Sequence, residues 1–312
     1  MKRIVMAGAS GFIGRALCNE LAAEYEVVGL SRDAARAEEG QAEGVRFVQW
    51  DAESVGDWAG EVDGAYAVID MAGENVGSGR WNAEKKRQIL ASRLNGARAL
   101  VEAVRGAKEG PEVFVYGSAM GYYGSRAEQI VDENTGAGEG FLSRVCIEAE
   151  GEAQKASEYC RVVLVRTGVV LGRDGGALPR LIKPFKFGFG GYVGSGRQWV
   201  PWVSIADEVR GVRFLLEREG AERVYNLVSP FPCRMSELCE SLGRVLGQRC
   251  WMRVPGFVLR GFLGEMADEV MLGSYRVLPG RLQEEGFEFS YERVEDALWA
   301  ILGDVGAIKV RG

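Results

Sequence analysis

A glycine-rich turn separates an apolar run from an amphipathic run at the start of the chain. Residues 3–7 (RIVMA) have the composition of a buried strand, and residues 8–14 (GASGFIG) follow directly. Leu17 and Leu21, four residues apart, predict a helix that packs back on this strand. In such a strand–turn–helix the glycines let an anion approach the backbone, and the exposed N–H groups at the helix start attract it. The sequence therefore predicts a phosphate-binding turn in residues 8–14.

Gly8, Gly11 and Gly14 have the spacing G-x-x-G-x-x-G, which differs from the commoner dinucleotide spacing G-x-G-x-x-G. The alternative is a glycine-rich turn that binds nothing, in a chain that contains 44 glycines. The preceding strand and the following helix favour phosphate binding, because that mechanism requires both.

Composition and charge restrict the class of protein. A chain of 312 residues can form one large core or two smaller ones, and a net charge of −6 argues against a nucleic-acid surface. No run approaches the roughly 20 apolar residues of a membrane span, and the first strand begins without a signal-peptide segment. We expect a protein that binds neither nucleic acid nor a membrane. It would reside in the cytoplasm, or in an organelle lumen if a transit peptide has been removed.

The chain contains no histidine, which removes the commonest general base and the commonest metal ligand. Its six cysteines form no C-x-x-C pair and no metal-ligand spacing, so we expect reduced, buried thiols and no metal site. Any catalysis must use other polar side chains, cysteine or a bound cofactor.

Predicted strands and helices alternate over the first two thirds of the chain. Beyond the first strand, apolar runs predict strands at 26–30, 45–50, 65–71, 113–116, 161–166, 199–205 and 224–227. Helices are predicted at 82–105, 141–159 and 207–216, a surface linker at 33–44 and a loop-rich segment at 172–196. This alternation predicts an α/β fold, a Rossmann-type doubly wound parallel sheet with the ligand at the carboxyl ends of its strands.

The last part of the chain is predicted to be mainly helical, with helices at 235–246, 257–272 and 294–302. We expect a nucleotide-binding Rossmann domain made of residues 1–171 with 203–229. A smaller, mainly helical C-terminal lobe, made of residues 172–202 plus 230–303, would close over it and bind substrate in the cleft between them. Residues 304–312 are expected to form a tail that frays.

Ser31 and Arg32 follow the second strand, where a dinucleotide fold places the group that selects the coenzyme. An acidic residue here bonds the adenosine ribose, whereas an arginine accommodates a 2′-phosphate, so Arg32 favours NADP over NAD. An exposed loop arginine is the alternative. At the ends of the next strands, Asp51 can accept a hydrogen bond from the adenine amino group, and Ala72 with Gly73 would let the backbone lie against the cofactor or form a plain turn.

The sequence is similar, over about residues 1–303, to the atypical extended short-chain dehydrogenase/reductase proteins, which are described as sugar-nucleotide epimerases and in some cases as cell-division inhibitors. The matching segments are GASGFIG (8–14), SR (31–32), MAGENV (71–76), RW (80–81), SR (92–93), GSAMGYYG (117–124), VRTGVVLGRDGGAL (165–178), PFKFGFGGYVGSGRQWVPWVSIAD (184–207) and GEMADEVMLGSYRVLP (264–279). The C-terminal segment of this family is a small domain of unassigned role.

The resemblance implies binding of NADP(H) and an epimerase or oxidoreductase activity on a small-molecule substrate that it does not identify. It places cofactor contacts in the first turn, after the second and fourth strands, on the long helix, at the end of the fifth strand and after the sixth. The residues are Gly8, Ser10, Gly11, Phe12, Ile13, Gly14, Ser31, Arg32, Met71, Ala72, Arg93, Ser118 and Val170.

Active extended dehydrogenases use a Ser with a Tyr-x-x-x-Lys, in which the Lys lowers the pKa of the Tyr so that the phenol exchanges a proton while hydride moves to or from nicotinamide. Ser118 lies at the expected strand end, but Leu142 and Cys146 stand at the Tyr and Lys positions. None of the ten tyrosines has a Lys four residues later. The usual proton-transfer pair is therefore absent.

Two hypotheses from different classes remain. In the first, the protein is an NADP-dependent oxidoreductase or nucleotide-sugar epimerase in which Ser118, Tyr122 and Tyr123 supply the acid/base group; packing of the two tyrosines in a glycine-rich turn is the alternative. In the second, NADP(H) is a structural or sensing ligand of a non-catalytic regulatory protein, for example in cell division, that acts through a protein partner.

Overall fold

The computed structural model describes residues 1–39, 43–221 and 223–309. Seven parallel strands form its central sheet: β1 Lys2–Ala7, β2 Tyr25–Ser31, β3 Val45–Gln49, β4 Ala67–Asp70, β5 Val113–Ala119, β6 Arg161–Thr167 and β7 Val224–Leu227. The strand order is β7-β6-β5-β4-β1-β2-β3, so the direction of winding reverses between β1 and β4. This confirms the predicted Rossmann-type doubly wound sheet, in which a ligand crevice opens at the reversal point.

Ten α-helices accompany the sheet in the described residues: α1 Phe12–Leu21, α2 Ala34–Glu38, α3 Ala83–Gly106, α4 Phe141–Ala153, α5 Leu178–Lys186, α6 Ile205–Glu217, α7 Met235–Leu246, α8 Gly256–Leu263, α9 Gly280–Glu284 and α10 Val294–Lys309. Helices cover both faces of the sheet, and β1 alternates between them. Ile4 and Met6 pack with α1 and α6, while Val5 and Ala7 pack with α3 and α4. Because both faces are buried, β1 is a continuous apolar run.

A third core lies outside the sheet and is formed by α5, α7 and α10 around the fully buried Trp202. It joins two distant segments of the chain, in residues 171–202 and 233–302. Leu282 and Phe287, however, pack in the sheet core. The boundaries drawn for the two domains stay predictions.

Several element predictions were wrong in detail. The linker predicted at 33–44 contains α2, and its residues 40–42 lie outside the described residues. The strand predicted at 199–205 is two short strands, Trp199–Val200 and Trp202–Ser204, separated by Pro201, which has no N–H to donate to a ladder. The helix predicted at 141–159 ends as α4 at Ala153 and continues as a 3₁₀-helix, Gln154–Glu158.

The C-terminal half also differs from prediction. The segment 172–196, expected to be loop-rich, contains α5. The helix predicted at 257–272 breaks at Gly264, which has φ +63°, and resumes as a π-helix, Ala267–Leu272. The fraying tail predicted at 304–312 is helical through Lys309 as part of α10, and residues 310–312 lie outside the described residues. No helix in the described part of the chain combines the length and the apolar character needed to cross a membrane.

Candidate functional site

The turn between β1 and α1 is built so closely that only glycine fits. Gly8 has φ +76°, and a Cβ placed on it would lie 2.5 Å from the carbonyl carbon of Met71 at the end of β4. A Cβ on Gly14 would lie 2.1 Å from the carbonyl oxygen of Gly8, and the Gly11 N–H donates to that same oxygen at 2.9 Å. The absence of side chains therefore brings the ends of β1, β4 and α1 together and leaves their backbone open to a ligand.

A cavity of about 490 Å³ opens over this turn at the carboxyl edge of the sheet. Its lining is Gly8, Ser10, Gly11, Arg15, Leu30, Ser31, Arg32, Asp33, Arg36, Ala37, Trp50, Ala52, Met71, Ala72, Gly73, Glu74 and Ser92. Three guanidinium groups face two carboxylates in this set. A crevice with glycine backbone at one end and arginines at the other suits a ligand with more than one phosphate group.

The arginines at the β2 end of the cavity are held by a compact loop. The Ser31 hydroxyl donates to the carbonyl oxygen of Asp33 at 3.0 Å, and the Asp33 carboxylate caps α2 by accepting the N–H of Arg36 at 3.2 Å. Arg32 and Arg36 are both exposed. No carboxylate of the described residues lies within 4.0 Å of either guanidinium, so both charges are available to an anion.

The cavity brings together eight of the predicted cofactor-binding residues: Gly8, Ser10, Gly11, Ser31, Arg32, Met71, Ala72 and Gly73. The other predicted residues, Phe12, Ile13, Gly14, Asp51, Arg93, Ser118 and Val170, do not line it. Sequence reasoning missed the other nine lining residues, which are Arg15, Leu30, Asp33, Arg36, Ala37, Trp50, Ala52, Glu74 and Ser92. Of these, Arg36 had a usable signal, because it stands three residues after Asp33, a good helix-capping residue.

Two of the residues outside the lining, Phe12 and Asp51, make contacts of their own. The Phe12 ring lies 2.5 Å from the Cβ position of Gly172, whose segment follows Val170. Asp51 caps its own turn, since its carboxylate accepts the N–H groups of Glu53 and Ser54 at 2.8 and 2.9 Å. These bonds and the Ser54 hydroxyl lower the pKa of Asp51 to about 2. The structure thus gives Asp51 a turn-capping role and leaves its side chain exposed, and its contact with adenine stays a prediction.

Arg93 reaches from α3 to the loop after β4. It donates to the carbonyl oxygens of Glu74 and Ile89 at 3.1 and 3.3 Å, and its Cζ atom lies 2.9 Å from the Cβ position of Gly73. Asp70, at the end of β4, is 2 % exposed and accepts the N–H of Ala72 at 2.9 Å. Burial raises the pKa of Asp70 to about 7, against the lowering effects of this bond and of Arg93. The strand end under the cavity therefore carries a buried carboxyl that changes its protonation state around neutral pH.

Ser118, at the end of β5, belongs to a buried polar cluster beside the cavity. Its hydroxyl donates to Oε1 of Glu150 on α4 at 2.5 Å. Arg166, its partner in the β5–β6 register, binds the same carboxylate with Nε at 2.9 Å and Nη2 at 2.7 Å. Burial alone would lower the pKa of Arg166, but its hydrogen bonds and proximity to Glu150 raise it above the ordinary value. Glu150 and Arg166 therefore form a closed ion pair beneath Ser118.

The two candidate tyrosines have different environments. Tyr123 is fully buried and its hydroxyl lies 2.7 Å from Oδ1 of Asn226, so it is a packing residue and not a proton donor to a ligand, which corrects its candidacy. Tyr122 is half-buried, and the Arg166 guanidinium lies 3.2 Å from its ring centroid. Its hydroxyl has no hydrogen-bond partner in the described part of the chain and is free to meet a ligand.

Leu142 and Cys146 of α4 pack against this strand end. The Cβ atom of Leu142 lies 3.0 Å from the Cβ position of Gly121, and the Cys146 thiol lies 3.7 Å from the carbonyl oxygen of Ala119. Burial raises the pKa of the Cys146 thiol to about 11, so it is not a nucleophile at neutral pH. Across the described residues, no group of three or more potential metal ligands occurs.

A parallel sheet that reverses direction at a glycine turn, with an arginine-lined crevice above it, defines a Rossmann-type dinucleotide-binding protein. Residues 4–227 match the NAD dependent epimerase/dehydratase family, and residues 254–301 match a domain of unknown function, DUF1731. The chain therefore belongs to the NAD-dependent epimerase/dehydratase family and carries a DUF1731 domain near its C-terminal end. This confirms the resemblance that the sequence motifs indicate.

Curated relatives match almost the whole chain. The chloroplastic SDR39U1 homolog of Arabidopsis thaliana, an epimerase family protein, is 40% identical over 303 residues, which cover 96% of this chain and 86% of the relative. The epimerase family protein YfhF of Bacillus subtilis is 34% identical, with 96% and 98% covered. Human epimerase family protein SDR39U1 is 31% identical, with 96% and 99% covered.

Solved structures share the fold. The crystal structure of human SDR39U1 (isoform 2) with NADPH has a TM-score of 0.87 and 30% identity, and the match covers 97% of this chain and 99% of that one. UDP-glucuronic acid 4-epimerase from Bacillus cereus, in complex with UDP-glucuronic acid and NAD, has a TM-score of 0.78 at 17% identity, with 98% and 99% covered. The second likeness shows the fold alone.

Proposed function

We propose that this protein binds NADP(H) in the cavity over the glycine turn and acts as an epimerase-like oxidoreductase without a Tyr-x-x-x-Lys pair. The observation that carries the proposal is the cavity itself, with glycine backbone at Gly8 and Gly11 and two unpaired arginines at the β2 end. The NADPH-bound structure of human SDR39U1 supports the choice of ligand.

The residues present fit such a cofactor. Gly8 and Gly11 would take the diphosphate against the backbone, and Arg32 and Arg36 would take a 2′-phosphate through charge-assisted hydrogen bonds. Met71 and the residues that follow it would hold the middle of the molecule. When bound, the nicotinamide supplies a hydride donor or acceptor, and the protein supplies position and proton transfer.

Two side chains at the end of β5 are available for a substrate. Ser118 is a partly exposed residue whose hydroxyl bonds Glu150, and the Tyr122 hydroxyl has no hydrogen-bond partner among the described residues. Tyr122 is the only one of the two that can release a proton as an acid, with the Arg166 charge held against its ring. We assign proton transfer to the Tyr122 hydroxyl and substrate positioning to Ser118.

A second candidate function is favoured by Leu142 and Cys146. These side chains put apolar groups where catalytic members of the family carry an acid and a cation, which suits a protein that binds NADP(H) without turnover and acts through a partner. The two functions differ in whether the bound cofactor reacts.

The test is oxidation of NADPH by a panel of sugar nucleotides, quinones and aldehydes, measured by loss of NADPH absorbance. An enzyme oxidises NADPH with at least one class, and Tyr122→Phe lowers that rate by about a hundredfold while NADPH affinity is kept. Tight NADPH binding with no turnover across the panel would overturn the enzymatic proposal and favour the regulatory one.

A further inference from the structure

We propose that the Ser118 hydroxyl is a fixed hydrogen-bond acceptor, so that the group of a ligand placed against Ser118 is a hydroxyl or N–H donor and not a carbonyl oxygen. The proposal rests on the proposed function in one respect, that a substrate lies against Ser118.

The position of the Ser118 proton follows from Arg166, which has only donors. Arg166 directs Nε and Nη2 at the two oxygens of Glu150, at 2.9 and 2.7 Å. Both residues are nearly excluded from solvent, with exposed fractions of 3% and 6%. A neutral Glu150 would leave the buried guanidinium charge without a counter-ion among the described residues, so Glu150 is ionised. An ionised carboxylate accepts only, and Ser118 must donate to it.

The directions of the hydrogen bonds are also fixed on the Tyr123 side of the cluster. Nη1 of Arg166 donates to the Tyr123 hydroxyl at 3.0 Å, so the Tyr123 proton goes to Oδ1 of Asn226 at 2.7 Å. Nδ2 of Asn226 donates to the carbonyl oxygen of Leu278 at 3.0 Å, which fixes the orientation of the amide. Rotation of the Ser118 hydroxyl away from Glu150 would remove one of the two hydrogen bonds that Oε1 accepts, from Ser118 and from Nε of Arg166, in a buried site where each such bond is strong.

Ser118 itself is partly exposed, unlike the pair beneath it. A hydroxyl has one proton and two lone pairs. Because the proton of Ser118 is bonded to Glu150, only the lone pairs are available to a ligand. The neighbouring Cys146 thiol donates to the carbonyl oxygen of Ala119 at 3.7 Å and does not supply a substitute donor. To serve a carbonyl, Ser118 would have to abandon a charge-assisted bond to Glu150, at a cost of about tenfold or more in affinity.

Neutron diffraction from deuterium-exchanged crystals tests the proton position directly. We expect a deuteron on Oγ of Ser118 that points at Oε1 of Glu150, and no deuteron on Glu150. A deuteron on Glu150, or one on Ser118 that points into the cleft, would overturn the proposal. Crystals without cofactor suffice, so this result is independent of whether NADPH binds.

Ligand selection is tested with cyclohexanol and cyclohexanone as probes. The protein is saturated with tetrahydro-NADP, an analogue that cannot transfer hydride, and dissociation constants are measured by ligand-observed NMR. We expect cyclohexanol to bind about tenfold more tightly than cyclohexanone, and Ser118→Ala to bring the two close to equality. Failure of the analogue itself to bind would contradict the proposed function and not the proton position.

The matched control is Ser143→Ala. Ser143 is also a buried serine of this region, but its hydroxyl donates to the carbonyl oxygens of Tyr122 and Gly138, both at 2.8 Å, and offers nothing to the cleft. We expect this variant to keep the preference for cyclohexanol. Three results would each overturn the claim that Ser118 selects a donor. They are an equal or reversed preference in the unmodified protein, an unchanged preference in Ser118→Ala, and no binding of either probe.

Discussion

The carboxylate of Glu269 accepts the backbone N–H of Leu142 at 2.7 Å, and its other oxygen accepts the adjacent N–H at the same distance. Glu269 belongs to the segment that matches DUF1731, and Leu142 stands in the first turn of α4. A domain of unknown function thus supplies the anion that caps the helix carrying Leu142, Cys146 and Glu150. The C-terminal segment therefore helps to position α4, and with it the Glu150 side chain beneath Ser118.

We predict that Glu269→Ala lowers the free energy of unfolding by about 1–3 kcal/mol, because two N–H groups at a helix start lose a charged acceptor. Urea denaturation measures the loss. Glu265→Ala is the control, since Glu265 only pairs with Lys86 near the surface and its removal costs less than about 1 kcal/mol. Equal losses of unfolding free energy in the two variants would show that the helix cap stabilises the fold no more than a surface ion pair does.

Substitutions in the glycine turn separate folding from binding. In Gly11→Val φ is an ordinary −75°, and the Cβ position lies 3.1 Å from the carbonyl oxygen of Gly8, a tight contact that a backbone shift of a few tenths of an ångström relieves. We therefore expect the fold to survive while the side chain blocks an approaching diphosphate. In Gly8→Val the Cβ lies 2.5 Å from backbone and φ is unfavourable, so both folding and binding fail. Circular dichroism and NADPH titration report the two properties. Normal NADPH affinity in Gly11→Val would place the phosphates elsewhere.

The proposed function assigns the choice between NADPH and NADH to Arg32 and Arg36. We predict that Arg32→Asp weakens NADPH by about 1–3 kcal/mol more than NADH, because a charge-assisted contact with the 2′-phosphate is lost. Arg36→Gln shifts the preference in the same direction. Arg87→Gln, which removes a charge on α3 that pairs with Glu84, is expected to change neither affinity. Equal losses for NADPH and NADH in Arg32→Asp would remove the 2′-phosphate assignment.

Glu208 makes stability depend on pH. Its carboxyl is fully buried and takes one hydrogen bond, from Thr167 at 2.8 Å, while Oε2 has no partner among the described residues. Burial raises its pKa from 4.5 to about 8, so the folded state keeps a proton that the unfolded state loses above about pH 5. This contribution to stability is therefore present at low pH and is lost as pH rises towards 8.

The measurement is the free energy of unfolding of the unmodified protein and of Glu208→Gln between pH 5 and 9. Relative to the variant, we expect the unmodified protein to lose at most about 1.4 kcal/mol per pH unit up to pH 8, and nothing further above it. Asp70 titrates in the same sense in both proteins, so the comparison isolates Glu208. Parallel pH profiles would contradict the assignment.

Local sequence patterns were enough for the sheet and for the turn. The strands around Val5 and Val115 are continuous apolar runs, and Gly8 lies where only a residue with positive φ fits. The sequence pattern does not predict α5, because Pro179 and Pro184 are typical of loops. Pro179 stands in the first turn, where a missing N–H costs nothing, and Leu178, Ile182 and Phe185 have the helical spacing of a buried face.

The polar cluster could not be predicted from the sequence. Glu150 and Arg166 are neighbours only because α4 packs on β5, the strand beside β6. No feature of the sequence around either residue distinguishes it from a surface residue. The same holds for Glu269 and its helix cap, which join residues more than a hundred positions apart. Tyr122 and Tyr123 are adjacent in sequence and similar in character, and only tertiary packing buries one of them and leaves the other with a free hydroxyl.

Titration of NADPH into purified protein, freed of endogenous ligand by unfolding and refolding, tests the account most directly. We expect saturable binding of one NADPH per chain, tighter than binding of NADH and lost in Gly11→Val. No affinity for NADPH at millimolar concentration, in protein shown to be refolded by circular dichroism, would contradict it.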